Sequence, residues 1–477
     1  MGIMAGEAPM ILMSHSNYMV YDNKQQKNMK PYSPISTLIA ASLLRKENHD
    51  VLFFDATFAS GTNDFKIVLN DVRPDIAVIM EDNFNFLTKM CTEVRRQSAL
   101  TMIRAARARG CRIAVNGPDA SDHPELYLEA GADAIVLGEG ESALRDLVNH
   151  WTCGQEEITA IPGLILPGLA PGDRPRNTRP RAALTDLDSL PHPAWDLIDT
   201  DAYQQAWRGA HGHASWNIAT SRGCPYACNW CAKPTFGRRY TVRSPGDVIA
   251  EMVRIKAEIA PDHLWFTDDI LGLDLQWAQE FATRLEEVGA VIPFSMQSRV
   301  NLMTEPMVAA LARAGAREVW LGVESGSQKV VDAMDKGASV EAARIATRML
   351  RRHGVKACWF IQLGYPSEEW EDLMATRDLI RAEEPDEIGV SVAYPLPGTG
   401  FYETVRRQLG TQRNWQDTGD LAMLFQGTYD SAFYRRLRDM LHAEVDTRHY
   451  DDTPWIALRE TESQHRSPAP FRLDIGA

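Results

Sequence analysis

Over the first 150 residues, short apolar runs alternate with longer amphipathic stretches. Met10–Met13 (MILM), Val51–Asp55 (VLFFD), Asp75–Met80 (DIAVIM), Arg112–Asn116 (RIAVN) and Ala132–Leu137 (ADAIVL) have the length and composition of buried strands. Between them, Pro34–Lys46 places Ile35, Leu38, Ile39 and Leu43 at helical spacing. Residues 85–109 read as a helix that stops at Arg109-Gly110, and Glu141–Trp151 as another. Five strands alternating with helices predict a doubly wound parallel sheet covered on both faces, here a domain over residues 9–151. Ligands of such sheets lie beyond the carboxyl ends of the strands. The loops there are 14–33, 81–86, 116–119 and 138–140, with Asn83, Gly117, Pro118, Gly138, Glu139 and Gly140 as candidate contacts.

The pattern breaks at residues 152–213, which are rich in Pro, Gly and Arg with little periodicity and read as a surface-wrapping linker. Alternation resumes near Ala214. WNIATS (216–221), HLWFTD (263–268), FSMQS (294–298), EVWLGV (318–323), ACWFIQL (357–363) and EIGVSVA (387–393) read as strands. Helical patterns such as Pro245–Ile259 and Glu341–Arg352 fill the gaps. Six strand–helix units predict a partial (βα)6 barrel over 214–403, with its chemistry at the strand carboxyl ends. Residues 404–460 are expected to be a helical C-terminal region, and 461–477 a loose tail.

Composition narrows the function classes. The 477 residues are 44% hydrophobic and 24% charged, as in ordinary globular proteins. No run of about 18 apolar residues is present, so no membrane span is expected. The opening MGIMAGEAPMILM lacks a basic region ahead of a long apolar one, so no secretory signal is expected either. A formal net charge of −14 disfavours nucleic acid as the main partner. Of seven cysteines, three are clustered; an odd count in that arrangement argues for a reducing, cytoplasmic setting.

The cluster is CPYACNWC, with Cys224, Cys228 and Cys231 spaced C-x3-C-x2-C just after the first strand of the second series. A closed zinc site wants four protein ligands, and His211 and His213 precede the strand. Inert structural thiols have no need of such crowding. A [4Fe–4S] cluster is held by thiolates, and three of them leave one iron open.

With this spacing and Trp230 before the third cysteine, the chain resembles the radical S-adenosylmethionine (SAM) superfamily. In that family SAM chelates the open iron and is cleaved reductively to a 5′-deoxyadenosyl radical. Further segments match: HLWFTDD with Asp268 and Asp269, QSRVN with Arg299, and GVESGS with Glu324 and Ser325. The resemblance implies that these residues and Trp230 contact SAM. MDKG (334–337), LGYPSEE (363–369) and YPLPGTGFYE (394–403) match later family segments, with Ser367 where the family has glycine. Taken singly, Asp269 also suits a helix cap, Arg299 a surface ion pair and Glu324-Ser325 a turn.

The first domain resembles the flavodoxin-like, cobalamin-binding arm of the same superfamily. The matching stretches are YSPISTLIAASLLRKENHDVLFFDA, PDIAVIM, VNGPDASDHPE and LGEGESAL. The D-x-H-x-x-G motif of classical cobalamin domains is absent; His15 is the nearby histidine, read as a solvated loop residue. Cys111 and Cys358 read as core, with Cys358 a hydrogen donor if it points inward, while Cys91 and Cys153 have no motif. The resemblance implies a class B C-methyltransferase. One SAM methylates Co(I), a second gives the radical, and the substrate radical takes the methyl group from methylcobalamin. It implies a small-molecule, lipid or tetrapyrrole substrate and an electron donor such as flavodoxin or ferredoxin. An oxidative cyclase of the same cofactor class and a non-catalytic cobalamin or redox sensor are the alternatives. A methylthiotransferase fits less well, since residues 1–150 contain only Cys91 and Cys111 where three cluster cysteines are needed.

Overall fold

A computed structural model describes residues 9–85, 87–90, 92–154, 157–170, 172–231, 236–468 and 470–471. The chain divides into two compact units. The first takes Met1–Arg222, Pro234–Arg243 and Gln416–Gly419; the second takes Gly223–Lys233, Ser244–Trp415 and Asp420–Ala477.

The five predicted strands of the first unit form as β1 (Met10–Ser14), β2 (Asp50–Phe54), β3 (Ile76–Met80), β4 (Arg112–Asn116) and β5 (Ala134–Val136). They pair in parallel in the order β2-β1-β3-β4-β5. Alternate residues along each strand face opposite layers. Leu12, Ile79, Ile113 and Ile135 pack with Phe65 of the helix Thr62–Val72 and Met102 of the helix Thr92–Ala108. Ile11, Val78, Ala114 and Val136 pack with Leu44 of the helix Ile35–Lys46 and Leu147 of the helix Glu141–Cys153. Burial on both sides is why these strands read as unbroken apolar runs. Each such side chain contributes roughly 1.5–3 kcal/mol on full burial.

The stretch expected to be a plain linker carries structure. Its strands β6 (Leu164–Leu166) and β7 (Arg176–Asn177) extend the sheet antiparallel beyond β5. Three consecutive buried apolar residues in β6 outweigh the surrounding prolines and glycines. The helix Thr200–His211 follows, capped by Asp199 accepting from the Ala202 N–H. The unit also holds β8 (Ser215–Ile218), which opens the second series, and the short antiparallel pair β9 (Ser221–Arg222) and β10 (Thr241–Val242).

In the second unit, β11 (His263–Phe266), β12 (Phe294–Ser298), β13 (Ala316–Glu324), β14 (Lys356–Leu363) and β15 (Glu387–Val392) pair in parallel in chain order. With β8 they are the six predicted strands of a partial barrel. One face is packed by helices: Phe266 meets Phe281 of the helix Leu275–Glu287, and the Trp359 Nε1–H donates to Thr347 of the helix Val340–Arg352. Ser244, Asp274 and Ser339 cap the helices that follow them.

The C-terminal part departs from the expected boundaries. After the helix Gly400–Val405 and one 3-10 turn, the chain is irregular to Asp430. Helices Ser431–Thr447 and Thr453–His465 then form, the second running past residue 460. Beyond it the Ser467 N–H donates to the Thr428 carbonyl and the Phe471 N–H to that of Gln426, so the start of the expected tail is pinned. Residues 472–477 and Cys91 lie outside the described residues.

Candidate cofactor and radical site

The cysteine loop belongs to the second unit. Cys224 is buried, Cys228 and Cys231 are half-buried, and none of the three is in a disulfide. Arg299, immediately after β12, is 5% exposed and anchors the loop. Its guanidinium stacks on the Tyr226 ring at 3.8 Å, and Nη1 donates to Cys228 Sγ at 3.3 Å. Nε donates to Asn301 Oδ1, and Nη2 to the carbonyls of Lys336 and Gly337. The sequence offered Arg299 as a SAM contact or a surface ion pair; the fold uses most of its five N–H donors to tie the loop to the 336–337 turn.

Asn229 extends the anchoring. Its N–H donates to the Met334 carbonyl, its Nδ2 to the Ala333 carbonyl, and its Oδ1 accepts from the Tyr365 hydroxyl. The turn that closes β13 is built around an ion pair that sequence reasoning missed. Lys336 Nζ lies 2.7 Å from Glu324 Oε1, and both side chains are 5% exposed. Glu324 has φ 67°, an uncommon conformation for a side-chain-bearing residue. A Cβ at Gly322 would lie 2.7 Å from Glu324 Oε1 and 2.7 Å from Lys336 Nζ, so only glycine leaves room for the pair. The MDKG segment held the signal: a lysine twelve residues on, returning to the same strand end.

The other candidates divide. Ser325 Oγ contacts Thr376 Oγ1 at 3.1 Å and accepts from the Ser327 N–H, which makes it part of the packing against the helix Trp370–Glu383. Asp268 is fully buried, and its carbonyl accepts from Gln297 Nε2 at 2.6 Å. Asp269 Oδ2 and Trp230 Nε1 are buried without partners. Buried polar atoms are nearly always paired, so these two stand out in the loop and at the strand end. Cys358 sits lower in the sheet, 3.6 Å from Glu318 Oε1, with its thiol pushed well above the usual range by burial and by Glu318. Ser367, in place of the family glycine, has φ 66°.

In the first unit the predicted loops also converge. Asn83 Nδ2 donates to Asn116 Oδ1, and Asn116 Nδ2 to the carbonyls of Val136 and Gly138. Gly140 sits against this amide: a Cβ there would lie 2.8 Å from Asn116 Nδ2. Asn83 Oδ1 is left buried without a partner. Gly138, Glu139 and Gly140 line a cleft of about 340 Å³ with Arg181–Thr185 and Phe236. Gly117 lines a separate cavity of about 10 Å³, and Pro118 opens the short helix behind it. Arg222, also missed, clamps the turn: it bonds Glu139 at 3.0 Å and Glu141 at 2.6 Å while its guanidinium lies over Phe84 and Phe236. A charged residue in TSRGC, two positions before the first cluster cysteine, was the available signal. Burial pushes the Glu139 carboxyl up despite Arg222.

His15 is buried rather than solvated. It lies 2% exposed, with Nε2 3.0 Å from Asp55 Oδ1 and Nδ1 accepting from the Asn17 N–H. Tyr203 fixes Asp55 in turn at 2.7 Å. With both ring nitrogens engaged, His15 is a structural tie.

Comparison with known proteins follows this geometry. Residues 218–380 match the family model described as the radical SAM superfamily. The chain carries a radical SAM domain. An uncharacterized methyltransferase of Pyrococcus horikoshii is 27% identical over 80% of this chain and 81% of its own length. Hopanoid C-3 methylase of Methylococcus capsulatus is 26% identical over 80% of this chain and 70% of its own length. Among solved structures, the radical SAM methyltransferase TsrM of Kitasatospora setae, with cobalamin and a [4Fe-4S] cluster bound, superposes with a TM-score of 0.68. It is 19% identical, and the match covers 84% of this chain and 75% of TsrM. The fold is therefore shared with TsrM, an α/β chain with a doubly wound sheet ahead of a partial barrel.

Within the radical SAM domain, no three His, Cys, Asp or Glu side chains among the described residues stand ready-grouped around a metal. The fit lies in the donor set: three cysteines outside any disulfide in one loop, one of them 3.3 Å from the Arg299 guanidinium. That set suits an iron–sulfur cube with three protein ligands. In the first unit, the unpaired Asn83 oxygen, apart from the glycine-lined cleft, is an acceptor for an amide-bearing ligand.

Proposed function

We propose that the chain is a cobalamin-dependent radical SAM C-methyltransferase acting on an unactivated carbon of a small molecule. The observation that carries this reading is Arg299 bridging the thiol loop to the Lys336–Gly337 turn, in a chain that also bears a doubly wound sheet. When bound, the cluster, SAM and cobalamin supply the electron, the hydrogen-abstracting power and the methyl group. Cys224, Cys228 and Cys231 hold the cluster. Trp230 and Asp269 offer SAM a donor and an acceptor that the protein leaves vacant, beside Asp268, Arg299, Glu324 and Ser325. The apolar packing around Trp230, with Tyr365, Phe401 and Phe425, keeps water from that end of the barrel. Asn83, Gly117, Pro118 and the 138–140 turn receive cobalamin. The electron comes from a small donor such as flavodoxin or ferredoxin, and the enzyme works in the cytoplasm. Among the described residues no helix is long and apolar enough to cross a membrane.

Anaerobic reconstitution with iron, sulfide, cobalamin and SAM, followed by assay with dithionite as reductant and a panel of small-molecule substrates, tests this. Protein with all three cysteines intact yields 5′-deoxyadenosine and a product heavier by one methylene, labelled from the SAM methyl group. The triple Cys→Ala variant yields neither and keeps its cobalamin. A product lighter by hydrogen favours a cyclase, and no 5′-deoxyadenosine from either protein favours a sensor.

A further inference from the structure

The helix-free face of the second unit's sheet carries features the cofactors do not explain. On the packed face, Phe266, Met296, Leu321, Trp359 and Ile361 are at most 1% exposed. Their alternating neighbours Trp265, Gln297, Trp320, Phe360 and Gly389 are partly open. Trp320 and Phe360 stack at 5.0 Å with an interplanar angle of 29°. Gly389 is the reason they stay flat: a Cβ there would lie 3.2 Å from Phe360 Cδ1 and 3.4 Å from Trp320 Cζ3. Two residues further along β13, and so about 7 Å higher, Gly322 underlies the Glu324–Lys336 pair.

On β14 the corresponding position above Phe360 is Gln362. It is 5% exposed, and its Oε1 has no hydrogen-bond partner. A buried amide oxygen left unpaired is costly, so its retention asks for an external donor. We infer that this face is a recognition shelf for a planar ring bearing an N–H or O–H group. The outer face of the Trp320–Phe360 stack takes the ring, and Gln362 Oε1, one position beyond the Ile361–Glu324 level of the sheet, accepts the hydrogen bond. A saturated lipid chain has no use for either feature: it gains nothing from flat stacking and offers no donor. The inference rests on the radical SAM reading and names the substrate class of its barrel.

Equilibrium dialysis of indole, N-methylindole and decanoate against anaerobic full-length holoprotein tests it without any turnover. Indole is expected to bind roughly 2- to 10-fold more tightly than N-methylindole, the value of one neutral hydrogen bond. Gln362→Met abolishes that preference, and Gln362→Glu, which keeps an acceptor oxygen, retains it. Trp320→Ala weakens both indoles by roughly 2- to 10-fold. Circular dichroism and cobalamin content confirm that each variant is folded. Decanoate binding more tightly than indole, a preference that survives Gln362→Met, or loss of SAM binding in that variant overturns the inference. Protein that binds indole as expected yet makes no 5′-deoxyadenosine sinks the methyltransferase reading and leaves the shelf standing.

Discussion

Arg299 Nη1 lies 3.3 Å from Cys228 Sγ while the same guanidinium covers the Tyr226 ring. One side chain thus holds the thiol loop by its second cysteine and its first aromatic, and ties it to the turn after β13 through the Lys336 carbonyl. A planar, multi-donor cation is needed for this, and a lysine cannot reproduce it.

Arg299→Lys is therefore expected to lower iron incorporation and to cut 5′-deoxyadenosine formation by at least about tenfold, as for loss of an orienting contact at a metal site. Iron and sulfide content after anaerobic reconstitution, read against cobalamin content of the same sample, checks this. Unchanged iron loading would show that the loop is positioned without it.

Breaking the Glu324–Lys336 pair leaves an uncompensated buried charge. Glu324→Gln is expected to destabilise the protein by about 3–5 kcal/mol. The double variant Glu324→Gln with Lys336→Met is expected to recover a large part of that loss. Urea unfolding of the two single variants and the double gives the coupling directly.

Ser367 sits at φ 66°, where a side chain is strained. Ser367→Gly is expected to stabilise the protein by about 0.5–1 kcal/mol, the left-handed strain relieved outweighing the extra freedom of the unfolded chain. Thermal or urea melts detect the gain, and a loss would mean that the serine side chain contributes more than its backbone costs.

Burial pushes the Glu368 carboxyl up from 4.5 to about 8, with only the Gly364 N–H and Lys329 acting against it. The folded state then holds this proton more tightly than the unfolded chain does. Its stabilising contribution is complete below about pH 4.5 and is lost as pH rises through 8. Glu368→Gln is expected to flatten the fall in stability over that window, whose slope for one such group is roughly 1.4 kcal/mol per pH unit. Urea midpoints at the two ends of the window, compared between variant and parent, give the answer.

The strands were readable because burial on one or both faces writes itself as apolar runs; Arg112–Asn116 and Phe294–Ser298 form with the predicted ends. The thiol loop was readable because its spacing is local. What escaped depends on partners distant in the chain. Arg222 finds Glu139 and Glu141 across more than eighty residues, and His15 finds Asp55 forty residues away. Such pairs leave no periodic trace. The helix Thr62–Val72 drew no notice because buried Phe65 and Leu69 are too few to stand out. The strand Leu164–Leu166 hid among prolines and glycines that mark turns rather than the end of a sheet.

Gly389 gives the barrel an adjustable floor. Because a side chain on the outermost strand at 389 would press on both stacked rings, the spacing of that pair is set by one position on β15. Enlarging it step by step, through alanine to valine, would tilt those rings and shrink the compartment, which makes residue 389 a dial for guest size.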